Sequence, residues 1–348
     1  MKKFSKILSA FLAAVMLLSV SVSAANLSDS KDALVEKFVA AEGPVVGKYS
    51  VDYRYFSPVK ENDTAKYPLV VWLHGMGEGS EEGAQVKKNN IAYWASEKMQ
   101  ARFDPAGGAF ILAARSREEN GLYWDNALVA PLKAAIDDFI AKNKDSIDLT
   151  RIYVGGFSMG GKMTYKMAVA YPEMFAAAFP ICPAWALSDE AVEKIADMPI
   201  WVTSSTKDPL VNYYMNVTPT WEKICRISNV AEECRFSTLT TVCYEDGAKT
   251  SSSHHAWFAV NHDMFSVDNG AYPYMSTVNG KGETVELKYP DGMISWLTAH
   301  TSDYNGEASE GMGNLETLSK TDGVLSDAVG IFDIIKGIFN TLMAMIFG

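Results

Sequence analysis

A serine between two glycines is the strongest chemical signal in the sequence. Gly156-Phe157-Ser158-Met159-Gly160 follows a short apolar run at 152–154 and precedes a helix-like run that ends before Tyr171-Pro172. A tight strand-to-helix turn of this kind presents a serine hydroxyl where a base can remove its proton. The flanking glycines suit the close backbone approach that such a turn requires. In a chain with 25 glycines the motif alone also fits an ordinary turn, so the remaining sequence must decide.

A nucleophilic serine also needs N–H groups that stabilise the negative charge on the attacked oxygen. The N–H of Met159 begins the predicted helix and is expected to be one donor. The second is expected in the loop Leu73-His74-Gly75-Met76-Gly77, which follows an apolar strand. Met76 is the preferred donor and Gly77 the alternative. We expect His74 to brace this loop rather than to act as a base.

The acid and the base are expected later in the chain, in the order serine, aspartate, histidine. Asp208 follows the strand-like run 200–203, although a loop aspartate is often only a turn former; Asp246 is the alternative acid. His254 and His255 follow a second strand-like run at 238–244, and either completes the order. His262 is a further candidate for the base. With the carboxylate orienting its ring, the histidine would relay the serine proton.

Strand-like and helix-like runs alternate over more than 200 residues, which predicts an α/β domain with a mostly parallel sheet and helices on both faces. The predicted strands are 49–56, 69–73, 109–113, 152–154, 176–181 and 200–203, and the predicted helices are 27–41, 127–142, 213–226 and 290–300. Runs such as Leu69-Val70-Val71-Trp72-Leu73 are apolar throughout, as expected for strands buried on both faces.

The two ends of the chain differ from this domain, which is assigned to residues 25–300. Residues 1–24 read as a signal peptide, with three lysines, an apolar stretch and Val22-Ser23-Ala24 as the cleavage site. Residues 301–327 read as a polar linker. Residues 328–348 form an apolar or amphipathic segment that either docks on the domain, rests on a membrane surface or contacts a partner.

Charge and cysteine content bear on the possible partners, disulfides and metal sites of the protein. The formal net charge of −11 argues against a nucleic-acid partner. An exported chain can form disulfides, but Cys182, Cys225, Cys234 and Cys243 allow three pairings and the sequence does not choose among them. Their spacing does not match a zinc site, so we expect no metal.

Three motifs together resemble a known family. His74-Gly75-Met76-Gly77-Glu78-Gly79-Ser80, Gly156-Phe157-Ser158-Met159-Gly160-Gly161 and Lys207-Asp208-Pro209 are similar to those of secreted α/β-hydrolase esterases related to polyhydroxybutyrate depolymerases, feruloyl esterases and predicted peptidases. The resemblance covers about residues 45–300. It implies the α/β-hydrolase fold. The family often carries its base in a His-x-x-Trp pattern, which favours His254 over His255.

Two departures from the family leave the substrate open. A polar and aromatic insertion at 258–289 could cover or extend the site, and the linker and tail fall outside the pattern. Trp124, Trp185 and Trp257 could form an aromatic wall for an acyl or aryl group, although each also fits core packing.

The sequence therefore predicts a secreted serine esterase that needs no cofactor, with the tail as a candidate for its retention at the cell surface. Ser158, Asp208 and His254 are its expected catalytic residues. The substrates would be polysaccharide-linked acyl or feruloyl esters, or hydroxyacid esters. A serine peptidase of the same fold and an inactive surface binding module are the alternatives.

Overall fold

The structure is a computed structural model that describes residues 30–266, 274–288 and 290–307. The predicted signal peptide and tail lie outside these residues, as does the linker from residue 308 onward. In the described part of the chain, no helix combines the length and the apolar composition that crossing a membrane requires.

One sheet organises the described residues, with strand order β1-β2-β4-β3-β5-β6-β7-β8-β9. Its central strands run parallel, while β1, β2 and β9 at its two ends are antiparallel to their neighbours. The strands are β1 Val39–Glu42, β2 Asp52–Phe56, β3 Tyr67–Leu73, β4 Phe110–Arg115, β5 Ile147–Phe157, β6 Ala177–Ile181, β7 Trp201–Ser205, β8 Arg235–Leu239 and β9 Met275–Asn279.

Helices cover both faces of this sheet. The α-helices are α1 Lys31–Glu36, α2 Ala84–Lys87, α3 Glu97–Gln100, α4 Val129–Lys142, α5 Met159–Ala170, α6 Asp189–Lys194, α7 Thr218–Ile227, α8 Trp257–Asn261 and α9 Met293–Thr298. Short 3₁₀ turns lie at Ile91–Ala95, Glu118–Asn120 and Asn126–Leu128, and a π-helical turn lies at Tyr213–Val217.

The position of strand β3 between two helical layers explains why its sequence lacks the usual alternation of polar and apolar residues. All seven of its residues are buried. Leu69, Val71 and Leu73 pack into one core with α4 and α5, whereas Val70 and Trp72 pack into a second core with α8 and α9. Because successive side chains point to opposite faces, a strand between two helical layers must be apolar throughout. The predicted α/β architecture is confirmed.

The differences from the prediction concern short or polar elements. The expected helix 27–41 is limited to α1 within the described residues, and 39–42 instead form β1. The expected strand 238–244 lies earlier, at β8. The insertion 258–289 contains most of α8 and all of β9, and β9 extends the sheet beside β8. The buried side of β9 includes Thr277, whose hydroxyl lies 2.8 Å from that of Ser237, so no hydrophobic pattern marks this strand.

The packed domain also extends past its expected end at residue 300. Tyr304 is buried in the core beside α4, and the N–H of Ser302 donates to the carbonyl of Thr150 at 2.8 Å. The first residues of the expected linker are therefore part of the domain. None of the three possible disulfide pairings among Cys182, Cys225, Cys234 and Cys243 forms in this structure.

The contact between β3 and α5 yields a test of the fold. A Cβ at Gly160 would overlap the carbonyl groups of Leu73 and His74, whereas a Cβ at Gly107 would meet nothing within 4 Å. We expect Gly160→Ala to lower the free energy of unfolding by about 3 kcal/mol or more, since backbone atoms cannot yield. Gly107→Ala should cost only about 1 kcal/mol, for its positive φ. Urea unfolding followed by tryptophan fluorescence measures both; equal midpoints would contradict this account.

Candidate active site

Ser158 occupies the turn between β5 and α5 at the carboxyl edge of the sheet. Its φ of 57° and ψ of −111° are unusual for a residue with a side chain, and such strain concentrates at functional sites. The N–H of Ser158 donates to the carbonyl of Ile181 at 2.8 Å. Gly156 and Gly160 both lie against the carbonyl of Leu73, where no Cβ would fit. The turn therefore has the geometry that the glycine spacing predicted.

Asp208 and His254 meet beside this turn. The carboxylate Oδ2 of Asp208 lies 2.7 Å from Nδ1 of His254, and the Asp208 side chain is fully buried. The His254 ring packs on the ring of Phe157, the residue before the serine, with 4.6 Å between ring centroids. The structure thus pairs the aspartate with the histidine and packs that histidine against the residue before the serine.

Hydrogen bonds keep Asp208 ionised. Burial alone would raise the pKa of this carboxyl group, but the bond from His254 and the N–H groups of Val211 and Leu210 lower it below its ordinary value. A buried aspartate that stays ionised can hold an imidazole in one tautomer and stabilise its protonated form.

The other candidates for acid and base lie elsewhere or in other contacts. Asp246 accepts from the N–H of Ala248 in an exposed turn, as a turn former does. His262 stacks on Phe258 and contacts Glu245 at 3.2 Å. His255 is half-buried, with its ring 5.9 Å from that of Trp257. Among these residues, only His254 is paired with Asp208.

Met159 and Met76 carry the two N–H groups that the sequence predicts for the oxyanion. Met159 is the first residue of α5, and Met76 is exposed in the loop after β3. Within the described residues, neither N–H has a hydrogen-bond partner. The N–H of Gly77, the alternative donor, is already bound to both oxygens of Glu118 at 2.8 and 2.9 Å. The geometry therefore favours Met76 over Gly77.

Two carboxylates hold the loop that contains Met76. Glu78 accepts from the N–H of Gly75 at 2.8 Å and from the amide of Asn89 at 3.0 Å. Glu118 binds the N–H groups of Gly77 and Gly79. Burial raises the pKa of both carboxyl groups, and their mutual repulsion adds to the pKa of Glu118. These bonds occupy the N–H groups on either side of Met76 and leave that of Met76 free.

His74 braces the same loop, as expected. Its Nδ1 donates to the carbonyl of Gly75 at 2.7 Å, and its Nε2 accepts from the N–H of Ser116 at 3.1 Å. Because the ring is fully buried, its pKa falls to about 4. The imidazole is therefore neutral at neutral pH, in one tautomer.

The predicted aromatic wall does not form as expected. Trp124 and Trp185 are 1 % and 3 % exposed and pack in the core. The indole N–H of Trp124 donates to the carbonyl of His74 at 3.2 Å, and the ring of Trp185 lies 5.3 Å from Nζ of Lys166. Burial of this extent suits bracing contacts better than a pocket wall. Trp257 is half-buried beside His255 and remains a candidate for substrate contact.

Cys182 is a neighbour that sequence reasoning did not assign to the site. Its Sγ lies 3.7 Å from the carbonyl of His254, and ligand atoms of Cys182, Asp208 and His254 all lie within 4.8 Å of one another. These residue types can bind zinc as thiolate, carboxylate and imidazole. Burial and the charge of Asp208 raise the pKa of the thiol well above its ordinary value, which favours the protonated form that does not bind metal.

Sequence reasoning also missed Glu78 and Glu118. Glu78 lies inside the glycine-rich loop after β3, and this position was the one sequence feature that could have indicated its role in holding the loop. Glu118 is 41 residues from the N–H that it binds, and nothing in its sequence surroundings marks it.

Comparisons with known proteins find similarity to hydrolases. The profile of a family described as phospholipase/carboxylesterase matches residues 113–243, which include Ser158 and Asp208 and end before His254. Among solved structures, a thermostable esterase is 26% identical over 77% of this chain and 64% of its own, with a TM-score of 0.58. The chain thus spans slightly less than two thirds of that esterase. No curated protein matches the sequence significantly.

Other solved structures align less closely. Esterase 2 of Thermogutta terrifontis is 16% identical over 68% of this chain and 96% of its own, with a TM-score of 0.48. An acylaminoacyl peptidase of Pyrococcus horikoshii is 14% identical over 55% of this chain and 35% of its own, with a TM-score of 0.42. Together with the sheet order and the turn at Ser158, the phospholipase/carboxylesterase profile and the thermostable esterase show that the chain has the α/β-hydrolase fold.

The two adjacent histidines allow a matched comparison. We expect His254→Ala to reduce kcat by about 10⁴-fold or more, because the base and its aspartate act as a unit. His255→Ala should change kcat only slightly, since this ring does not pair with Asp208. Steady-state hydrolysis of a p-nitrophenyl ester measures both. Equal losses in the two variants would contradict the assignment of His254.

The bond from Gly77 to Glu118 gives a second test. Glu118→Ala should lower kcat by about 10- to 100-fold with little change in KM, because the loop around Met76 loses an anchor. Glu118→Gln keeps an acceptor oxygen and should retain more activity than Glu118→Ala. The exposed Glu61→Ala serves as the control. An unchanged kcat in a folded Glu118→Ala protein would show that this bond does not position the loop.

Proposed function

We propose that the protein is a serine hydrolase that cleaves carboxylic esters through an acyl-enzyme on Ser158. The observation that carries the proposal is the buried Asp208–His254 pair, 2.7 Å apart, packed against the turn that presents Ser158. The profile described as phospholipase/carboxylesterase and the 26% identical thermostable esterase support ester hydrolysis.

In the first half of the reaction, Oγ of Ser158 attacks the ester carbonyl carbon while His254 accepts the hydroxyl proton. Nδ1 of His254 is bound to Asp208, so Nε2 is the atom that takes this proton. The carbonyl oxygen becomes an oxyanion that accepts from the N–H groups of Met159 and Met76. When the tetrahedral intermediate collapses, the ester C–O bond breaks and His254 returns the proton to the leaving alcohol.

In the second half, water replaces the alcohol. His254 accepts a proton from the water, whose oxygen attacks the acyl carbon, and the same two N–H groups hold the second oxyanion. The bond from the acyl carbon to Oγ then breaks, Ser158 regains its proton from His254, and the acid leaves. The side chains named here supply every proton transfer.

The substrate class and location belong to the same proposal. Acyl or feruloyl esters on polysaccharide, or hydroxyacid esters, are the proposed substrates. The signal peptide predicted at 1–24 supports the proposal that the protein is exported. The apolar segment 328–348 is proposed to contact a membrane surface or a partner and so to keep the protein at the cell surface.

A direct test uses short p-nitrophenyl esters with a fluorophosphonate probe. The purified protein should hydrolyse p-nitrophenyl acetate and carry the probe on Ser158, and Ser158→Ala should lose about 10⁴-fold or more of the kcat and all of the labelling. Ser57→Ala, which removes an exposed serine hydroxyl, should change neither.

Failure has distinct meanings in this test. The probe could label Ser158 while the protein cleaves peptide p-nitroanilides and turns over no ester. That result would favour the peptidase alternative. Neither turnover nor labelling would overturn the proposal and favour the binding module.

A further inference from the structure

A second concave surface lies on the same edge of the sheet as Ser158. Glu42 ends β1 and pairs with Asp52, which in turn pairs with Arg115 at the carboxyl end of β4. The turn between β1 and β2 and the loop after β4 therefore share the carboxyl edge where Ser158 follows β5. Between this turn and this loop lies a cavity of about 440 Å³.

The cavity offers hydrogen-bonding groups beside apolar surface. Its lining includes Glu42, Lys48, Tyr49, Arg117, Asn120 and Leu122. Within the described residues, the amide of Asn120 and the ammonium of Lys48 have no hydrogen-bond partner, so donors and an acceptor remain available to a ligand. The half-buried Tyr49 ring and Leu122 add apolar faces.

The charges around the cavity nearly cancel. Arg117 binds Glu42 at 2.6 Å and Asp52 at 2.5 and 2.9 Å. Bonds from Ser50 and Arg117 lower the pKa of Glu42, which keeps it ionised as an acceptor. Nζ of Lys48 lies 5.1 Å from the ring centroid of Tyr49. With its charges largely paired, this cavity suits a neutral ligand with many hydroxyl groups better than an ion or a purely apolar chain.

One loop joins the cavity to the catalytic residues. Arg117, Asn120 and Leu122 line the cavity, while Glu118 of the same loop binds the N–H of Gly77. Strands β4 and β3 separate β2 from β5, so the cavity lies about 14 Å along the sheet edge from Ser158. That distance exceeds the reach of a single sugar and suits a short oligosaccharide.

We propose that this cavity binds a sugar unit of a carbohydrate-linked ester whose acylated sugar lies at Ser158. The inference rests on the proposed esterase function and selects polysaccharide-linked esters over hydroxyacid esters as substrates. The sugar bound in the cavity is distant from the reacting carbonyl. Its contacts therefore lower KM for long substrates, and short esters cannot use them.

The test compares substrates of different length. Wild-type kcat/KM should be higher for acetylated xylotetraose than for acetylated xylose. Asn120→Ala should lower kcat/KM for acetylated xylotetraose about fivefold relative to p-nitrophenyl acetate, mainly through KM, as expected for one lost hydrogen bond. Tyr49→Ala should act in the same direction. Tyr274→Ala, an exposed tyrosine at the opposite end of the sheet, should leave both rates unchanged.

The outcomes separate this inference from the proposed function. Turnover of p-nitrophenyl acetate without a preference for longer sugars, or with equal losses on both substrates in Asn120→Ala, would overturn the sugar site alone. Absence of all ester turnover would overturn the esterase. In that case calorimetric titration of the protein with xylotetraose decides the cavity's role: binding that Asn120→Ala weakens supports it, and no binding rejects it. Because the Asn120 side chain is exposed, its removal should not impair folding.

Discussion

The structure of the site depends on a close backbone contact between the end of β3 and the start of α5. The carbonyl groups of Leu73 and His74 lie where a Cβ of Gly160 would be, and the carbonyl of Leu73 also excludes a Cβ at Gly156. This contact places the loop that carries Met76 directly beside Ser158. The distance between Ser158 and the loop of Met76 is therefore set by packed backbone rather than by flexible side chains, as the proposed oxyanion stabilisation requires.

The positions of Ser158 and Asp208, two of the proposed catalytic residues, could be predicted because each follows a buried strand. Apolar runs identify β5 and β7, and parallel strands bring their carboxyl ends to one edge, whereas the strand before His254 was predicted too late in the chain. The preference for His254 over His255 came from a family resemblance. It could not be derived from the residues alone, because adjacent residues differ only in the direction of their side chains.

The elements that escaped prediction have no local signature. Strand β9 buries Thr277 in a hydrogen bond with Ser237, so it lacks the apolar alternation by which strands are recognised. Glu118 is distant in sequence from Gly77, and its role depends on a tertiary contact. Trp124 and Trp185 are aromatic residues near the motif, but sequence cannot distinguish an aromatic ring in the core from one in a pocket.

The burial of His74 links the active-site loop to the acidity of the surroundings. An unfolded chain binds a proton at this imidazole below its ordinary pKa of 6.5, whereas in the folded protein the pKa is about 4. The stability that depends on neutral His74 is complete above pH 6.5 and is lost as the pH falls towards 4, by about 3 kcal/mol in total. Each unfolding event in this range takes up a proton at His74. Acid thus destabilises the protein through the unfolded state of His74, because the folded loop keeps this imidazole neutral until the pH approaches 4.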